Sequence, residues 1–272
     1  MSDRRSILLT NDDGIDEPGI AAMADALSAV ADVTVVAPAG DRSSCGRSMS
    51  SEVTVTERDR GYAVDGTPTD CVVAGLAELA PEPDLVVAGC NEGANLGAYV
   101  LGRSGTVSAA VEAAFFDVPA IATSMYVPVG DVSFADVETT TADFAEATRV
   151  TRYLVEHALP AGVFQRASYL NVNVPMDAGS NLPMEVTRPS RRYEMDATRE
   201  GSTIRLHDRV WESMDPETMP DPDGTDRRAV AEGRISVSPL VAPHATCHHE
   251  SLDDLSSAYP DPPASTSADV NY

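Results

Sequence analysis

Short apolar runs alternate along the chain with segments whose apolar residues recur at helical spacing. Ile7-Leu8-Leu9 is too short for a helix and predicts a buried strand, after which Ile20, Met23, Ala24 and Leu27 mark one face of a helix. Further strands are predicted at Val33–Val36, Leu85–Ala88, Ala120–Ser124 and Tyr169–Pro175, with short ones at Val53–Thr56 and Tyr62–Val64. Helical spacing covers Pro68–Leu79, a segment carrying Val107, Ala110, Val111 and Ala114, and Phe134–Leu159. Strands that alternate with helices imply an α/β fold with a mainly parallel sheet. In Leu170-Asn171-Val172-Asn173 the alternating asparagines predict one polar face.

The pattern changes near Glu185. Met184–Thr187, Thr203–Leu206 and Arg234–Leu240 predict strands between polar loops, with a short helix near Asp226–Glu232. The expected organisation is an α/β core over residues 1–184, a β-rich arm over 185–245 that packs on the core and a partner subunit, and an acidic, mobile tail over 246–272.

The loops that follow the strands hold the chemistry-bearing residues. The first strand runs into Thr10-Asn11-Asp12-Asp13-Gly14, the second into a Ser-, Gly- and Arg-rich loop at 39–49, and the third into Gly89–Gly97, which contains Asn91 and Asn95. In open α/β sheets ligands bind beyond the carboxyl ends of the strands, so these loops share one edge. Two converging carboxylates repel unless a proton or cation lies between them, and hard oxygen ligands suit Mg²⁺ or Mn²⁺. A surface turn draws on the same Asn, Asp and Gly residues. Ser104-Gly105-Thr106 opens a helix, where hydroxyls and free N–H groups serve a phosphate or simply cap the helix.

Charge narrows the function classes. The formal net charge is -24, and all 19 basic residues are arginine. Such a surface disfavours stable nucleic-acid binding and anionic lipid, and it predicts a protein adapted to high salt. Without lysine there is no Walker-type loop lysine, no Schiff base and no pyridoxal phosphate attachment. The first strand–helix loop lacks G-x-G-x-x-G, which argues against a dinucleotide-dependent oxidoreductase. No apolar run approaches membrane-spanning length, no signal-peptide core follows the N-terminus, and the four cysteines lack C-x-x-C spacing, all of which predicts a cytoplasmic protein. None of the five histidines falls in the sheet-edge loops, and His248-His249 lies in the polar tail.

Taken together, TNDDG at Thr10–Gly14, VVAP to RS at Val35–Ser43, GTPTDC at Gly66–Cys71, DLVVAGCNEGANLG at Asp84–Gly97, SGTV at Ser104–Val107, LNVNVP at Leu170–Pro175, TRPSRR at Thr187–Arg192 and TDRRAVAEGRISVSPL at Thr225–Leu240 resemble the SurE family of survival-protein phosphatases, metal-dependent 5′/3′-nucleotidases. The resemblance implies a doubly wound, Rossmann-like three-layer fold whose C-terminal arm builds a homodimer or homotetramer. It implies one divalent metal ion per subunit, Mg²⁺ or Mn²⁺, held by Asp12, Asp13, Ser43 and Asn91, with Asp12 and Asp13 catalytic. Asn95, Ser104, Gly105 and Thr106 would bind the phosphate of a nucleoside monophosphate substrate. After Pro38 the family has Asp directly, whereas this chain has Ala39-Gly40-Asp41. The rival reading is a non-catalytic sensor that holds a metal–nucleotide complex without hydrolysing it.

Overall fold

The structure, a computed structural model, describes residues 4–80, 82–127, 138–176, 181–244 and 250–258. Its centre is a nine-stranded sheet. In chain order the strands are β1 (Arg5–Thr10), β2 (Ala31–Pro38), β3 (Val55–Arg58), β4 (Gly61–Val64), β5 (Leu85–Glu92), β6 (Ala120–Tyr126), β7 (Tyr169–Pro175), β8 (Met184–Val186) and, after a separate hairpin, β11 (Ile235–Leu240). They lie side by side as β3-β4-β2-β1-β5-β6-β7-β11-β8. The β1–β2, β1–β5, β5–β6 and β6–β7 pairs are parallel, while β3–β4 and β7–β11 are antiparallel. The chain leaves β1 towards β2 on one side and later returns to β5 on the other, so the order reverses between β1 and β5, where doubly wound sheets open a crevice.

The three layers follow from alternation along these strands. Ile7 and Leu9 of β1 join Leu85 and Val87 of β5 on one face, packed by Ile20, Met23 and Leu27 of α1 (Pro18–Ser28) and by Val150 and Leu154 of α4 (Ala145–His157). Leu8, Val86 and Ala88 point to the other face, against Val72 of α2 (Pro68–Ala74) and Val107 and Ala110 of α3 (Gly105–Phe115). Successive strand residues alternate in direction, which is why one short apolar run serves two cores. Ile7, Leu8 and Leu9 are fully buried, each contributing about 1.5–3 kcal/mol.

Several elements differ from expectation. The helix expected over Pro68–Leu79 is α-helical only to Ala74 and continues as a π turn over Gly75–Leu79, where Gly75 closes onto the Leu8 side chain. The long helix expected over Phe134–Leu159 is confined to Ala145–His157, because Asp143 accepts hydrogen bonds from Thr140 and closes a turn just before it; residues 128–137 lie outside those described. Asn171 and Asn173 are fully buried, so the polar face of β7 is turned inward.

The segment expected as an arm divides. β8 and β11 complete the main sheet, and only β9 (Met195–Glu200) and β10 (Thr203–Asp208) stand apart as an antiparallel hairpin. β9 escapes prediction because MDATRE has no apolar alternation and five of its six residues are exposed. α5 (Asp226–Ala231) packs against β11 and β7. In the tail, Glu250–Ala258 forms a helix, α6. Residues 245–249, including His248 and His249, and residues 259–272 lie outside the described residues. No helix among the described residues is long and apolar enough to cross a membrane.

Candidate active site

The acidic loop is built by the end of β1. Asn11 Nδ2 donates to the Gly14 carbonyl at 2.8 Å, and Ile15 N–H donates to the Pro38 carbonyl at 2.9 Å, which folds the loop back onto the end of β2. Gly14 adopts φ +128°, a backbone conformation that favours glycine, and a Cβ there would press on the Gly40 backbone at 3.3 Å. Asp12 and Asp13 are thereby carried past the strand end at the β1/β5 crevice. Asp12 is 3% exposed, and its Oδ1 accepts a hydrogen bond from Thr106 Oγ1 at 2.5 Å. Asp13 Oδ2 accepts from Glu92 N–H at 3.1 Å.

Ser43 arrives from the loop after β2. The Arg42 N–H donates to the Asp12 carbonyl at 2.7 Å, which ties that loop to the acidic one. Both the N–H and the Oγ of Ser43 donate to Asp41 Oδ1, at 2.7 and 2.6 Å. Asp41 therefore orients Ser43. The same loop is pinned farther on, where Asp70 accepts from Ser50 N–H at 2.8 Å and Ser50 Oγ at 2.9 Å, and Thr67 Oγ1 donates to the Ser48 carbonyl at 2.7 Å. Thr67 and Asp70 form the capping box of α2 at the same time.

Asn91 lies within β5 rather than beyond it. The register with β6 slips between Ala88 and Asn91, and such a bulge re-aims the side chains that follow it. Asn91 Nδ2 donates to the Gly93 carbonyl at 2.5 Å, leaving the amide oxygen as its free ligand atom. Asn95 is clasped from β7: Asn171 and Asn173 Nδ2 donate to its carbonyl at 2.9 and 3.1 Å, and its N–H donates to Asn173 Oδ1 at 2.8 Å. Its own Nδ2 donates to Ser124 Oγ at 2.8 Å. Ser104 is the N-cap of α3, its Oγ accepting from Val107 N–H at 3.0 Å.

A cleft of about 430 Å³ brings Asp12, Ser43, Asn91, Asn95 and Ser104 together in its lining, a size that suits a small-molecule ligand. Gly105, Thr106 and Asp13 are not part of that lining; the first two abut Asp12 from behind, and Asp13 adjoins it. Tyr99, Arg103, Asp208 and Trp211 also line the cleft and were not singled out in the sequence. The available signal was a lone tryptophan and a tyrosine set in otherwise polar or glycine-rich segments. His207, in contrast, bonds Thr198 Oγ1 at 2.8 Å within the hairpin.

Burial pushes both carboxylates of the pair above the ordinary aspartate range, and the charge of Asp12 raises Asp13 further; the Thr106 hydrogen bond offsets part of the effect on Asp12. Among the described residues no group of three His, Cys, Asp or Glu side chains is placed to hold a metal. Here the candidate donors are two carboxylates, a hydroxyl and an amide oxygen, a hard all-oxygen set that fits Mg²⁺ or Mn²⁺. A cation beside Asp12 and Asp13 would compensate the burial of their negative charge, which is the main cause of both raised pKa values, so the residues fit the group.

The profile of the family described as "Survival protein SurE" matches residues 7–196. The chain belongs to the SurE family. A SurE-family protein of Haloarcula marismortui, named 5'-nucleotidase SurE, is 60% identical over 258 residues, covering 94% of this chain and 96% of its own. A relative of that name from Archaeoglobus fulgidus is 43% identical over 86% of this chain and 90% of its own. The crystal structure of the SurE protein from Aquifex aeolicus superposes with a TM-score of 0.69 at 31% identity, covering 86% of this chain and 92% of that one. This is the SurE α/β three-layer fold.

Proposed function

We propose that the chain is a metal-dependent 5′-nucleotidase that hydrolyses nucleoside 5′-monophosphates to nucleoside and phosphate. One observation carries the reading: buried Asp12, with Asp13 beside it, borders a cleft that Ser43, Asn91, Asn95 and Ser104 also line. The relatives named 5'-nucleotidase SurE support it.

Asp12, Asp13, Ser43 and Asn91 would hold one Mg²⁺ or Mn²⁺. Bound there, the cation supplies positive charge to phosphate oxygens and acidifies water. Ser104, whose Oγ already accepts from Val107 N–H, keeps its hydroxyl proton for a phosphate oxygen. The N-terminal end of the α3 dipole, beside Ser104, adds to the same stabilisation. Asn95, fixed by Asn171 and Asn173, holds the loop that borders the phosphate. Asp12 or Asp13 accepts the proton released by the attacking water, since no histidine borders the cleft among the described residues.

The exposed Ile204 and Leu206 of β10 support pairing of the hairpin with a second copy, as a dimer or tetramer. The free cysteines Cys45, Cys71 and Cys90 are in keeping with a cytoplasmic setting.

The test is phosphate release from 5′-AMP in molar salt with Mn²⁺ or Mg²⁺ and with EDTA, for the wild type and Asp12→Asn. Metal-dependent release that collapses in the variant is the expected result. Release that survives both treatments would displace the site, and tight nucleotide binding without release would make the protein a sensor.

A further inference from the structure

Phosphate chemistry leaves part of the cleft lining without a role. Tyr99 and Trp211 border the same cavity as Asp12 and Ser104, and neither offers a group for metal or phosphoryl chemistry. Trp211 is the only tryptophan of the chain and sits half-buried in the 3₁₀ turn Arg209–Ser213, just after the hairpin.

That turn is held by a buried charge. Arg227 is fully buried, its Nη2 donates to the carbonyls of Val210 and Ser213 at 2.8 and 3.2 Å, and its Nε pairs with Asp221 at 3.2 Å. The guanidinium carbon lies 5.9 Å from the centroid of the Trp211 ring system. A buried ion pair is weak evidence for stability, because apolar residues of equal volume would often serve as well. What this pair does is clamp the backbone on both sides of Trp211.

Tyr99 is fixed in its turn. Its hydroxyl donates to Asp208 Oδ2 at 2.8 Å, three residues before Trp211, and the Tyr193 ring meets it edge-on with centroids 5.6 Å apart. Two aromatic side chains from distant segments are thus held in the lining of the one cleft, about 430 Å³, that Asp12 and Ser104 also border. Rigid aromatic surfaces with polar tethers stack planar heterocycles at little conformational cost.

We propose that Tyr99 and Trp211 recognise the base, taking the purine or pyrimidine ring of a nucleotide whose phosphate lies by Asp12 and Ser104. This inference rests on the nucleotidase reading and adds the residues that set its preference for nucleotides over other phosphomonoesters.

The test compares 5′-AMP with ribose 5-phosphate, which keeps sugar and phosphate but lacks the base, in molar salt. Trp211→Leu is expected to lower the ratio of their kcat/KM values about 5- to 150-fold, mainly through the KM for 5′-AMP, the range for one base–aromatic stack. Trp211→Phe should recover most of the ratio. A loss shared equally by both substrates, or no loss, overturns the proposal. A second measurement needs no variant and no turnover, because emission from the sole tryptophan reports on the cleft directly. A saturable change with 5′-AMP and with adenosine, absent with ribose 5-phosphate, is expected; an equal response to all three, or none, overturns the proposal. If no phosphomonoester is hydrolysed, the nucleotidase reading falls while the emission titration still decides base recognition.

Discussion

A Cβ added to Gly105 would lie 2.8 Å from the Cβ and 2.8 Å from the Oδ2 of Asp12, so the first turn of α3 and the acidic loop meet with only glycine between them. The contact fixes where the Asp12 carboxylate sits.

Gly105→Ala must therefore displace Asp12. Phosphate release should fall about 10- to 100-fold, as expected for a misplaced reacting group, with a stability loss of about 1–3 kcal/mol from overpacking. Parental kcat/KM in this variant would show that the position of Asp12 is not critical.

Thr106→Val keeps the shape of the buried side chain and removes the donor to Asp12. Leaving that carboxylate oxygen unpaired should cost about 1–3 kcal/mol, read as a melting temperature lower by several degrees in molar salt. Thr106→Ser, which restores the hydroxyl, should recover most of the loss.

On the proposed metal site, metal and pH act on the same pair. Burial raises Asp13, and the neighbouring Asp12 raises it further, so the folded state disfavours the ionised form. Below the ordinary aspartate value of 3.8 both states are protonated and the penalty vanishes; as pH rises through the raised folded pKa it becomes complete. In EDTA, Asp13→Asn should melt above the wild type at neutral and alkaline pH and match it near pH 3.8. If the proposed site holds a cation, saturating Mg²⁺ or Mn²⁺ should reverse the order at high pH, because a cation bound only by the folded wild type stabilises it. A wild type that melts higher than the variant in EDTA at alkaline pH would contradict this account.

Asp70 has the opposite sign. Burial alone would raise its pKa, but hydrogen bonds from Thr67 and Ser50 outweigh it and hold the carboxyl below the ordinary range. The stability it contributes is present above 3.8 and is lost as pH falls through the lowered folded value. Asp70→Ala should cost about 0.5–2 kcal/mol at neutral pH, as for a lost cap. It should also weaken activity, because the Ser43 loop loses its tether at Ser50. Circular dichroism melts should show the full difference at pH 7 and a shrinking one as pH is lowered below 3.8.

With a net charge of -24 and no lysine, self-repulsion between carboxylates is strong until salt screens it to a few ångströms. Dialysis from molar salt to about 10 mM should unfold the protein or sharply lower its melting temperature. An unchanged melt would show that packing alone suffices.

How far the chain can be read from its letters depends on where the signal lies. The parallel strands are legible because Ile7-Leu8-Leu9 and Leu85–Ala88 are buried on both faces and form unbroken apolar runs. Asp12, Ser43, Asn91, Asn95 and Ser104 are legible as neighbours because each lies at or just beyond a strand end, or opens a helix, on one sheet edge. What could not be read depends on contacts between distant segments. Gly89 ends the apolar run of β5, yet the strand continues through a bulge to Glu92, and no periodicity records a bulge. Asn171 and Asn173 look solvated as a pattern and are buried because Asn95 offers them a carbonyl and an N–H. Ser104, Gly105 and Thr106 look equivalent in sequence, but helix geometry turns Ser104 to the cleft and Thr106 to Asp12.

The hydrogen bonds that fix the acidic pair also bear on how the protein is made and lost. Asp13 takes its partner from a residue 79 positions away and Asp12 from one 94 positions away, so neither is in place until β5 and α3 have docked on β1. Whatever lodges between these carboxylates arrives at a finished structure. It cannot nucleate folding, and its effect should fall on the rate of unfolding: a bound cation would lengthen the lifetime of the native state and leave the refolding rate unchanged.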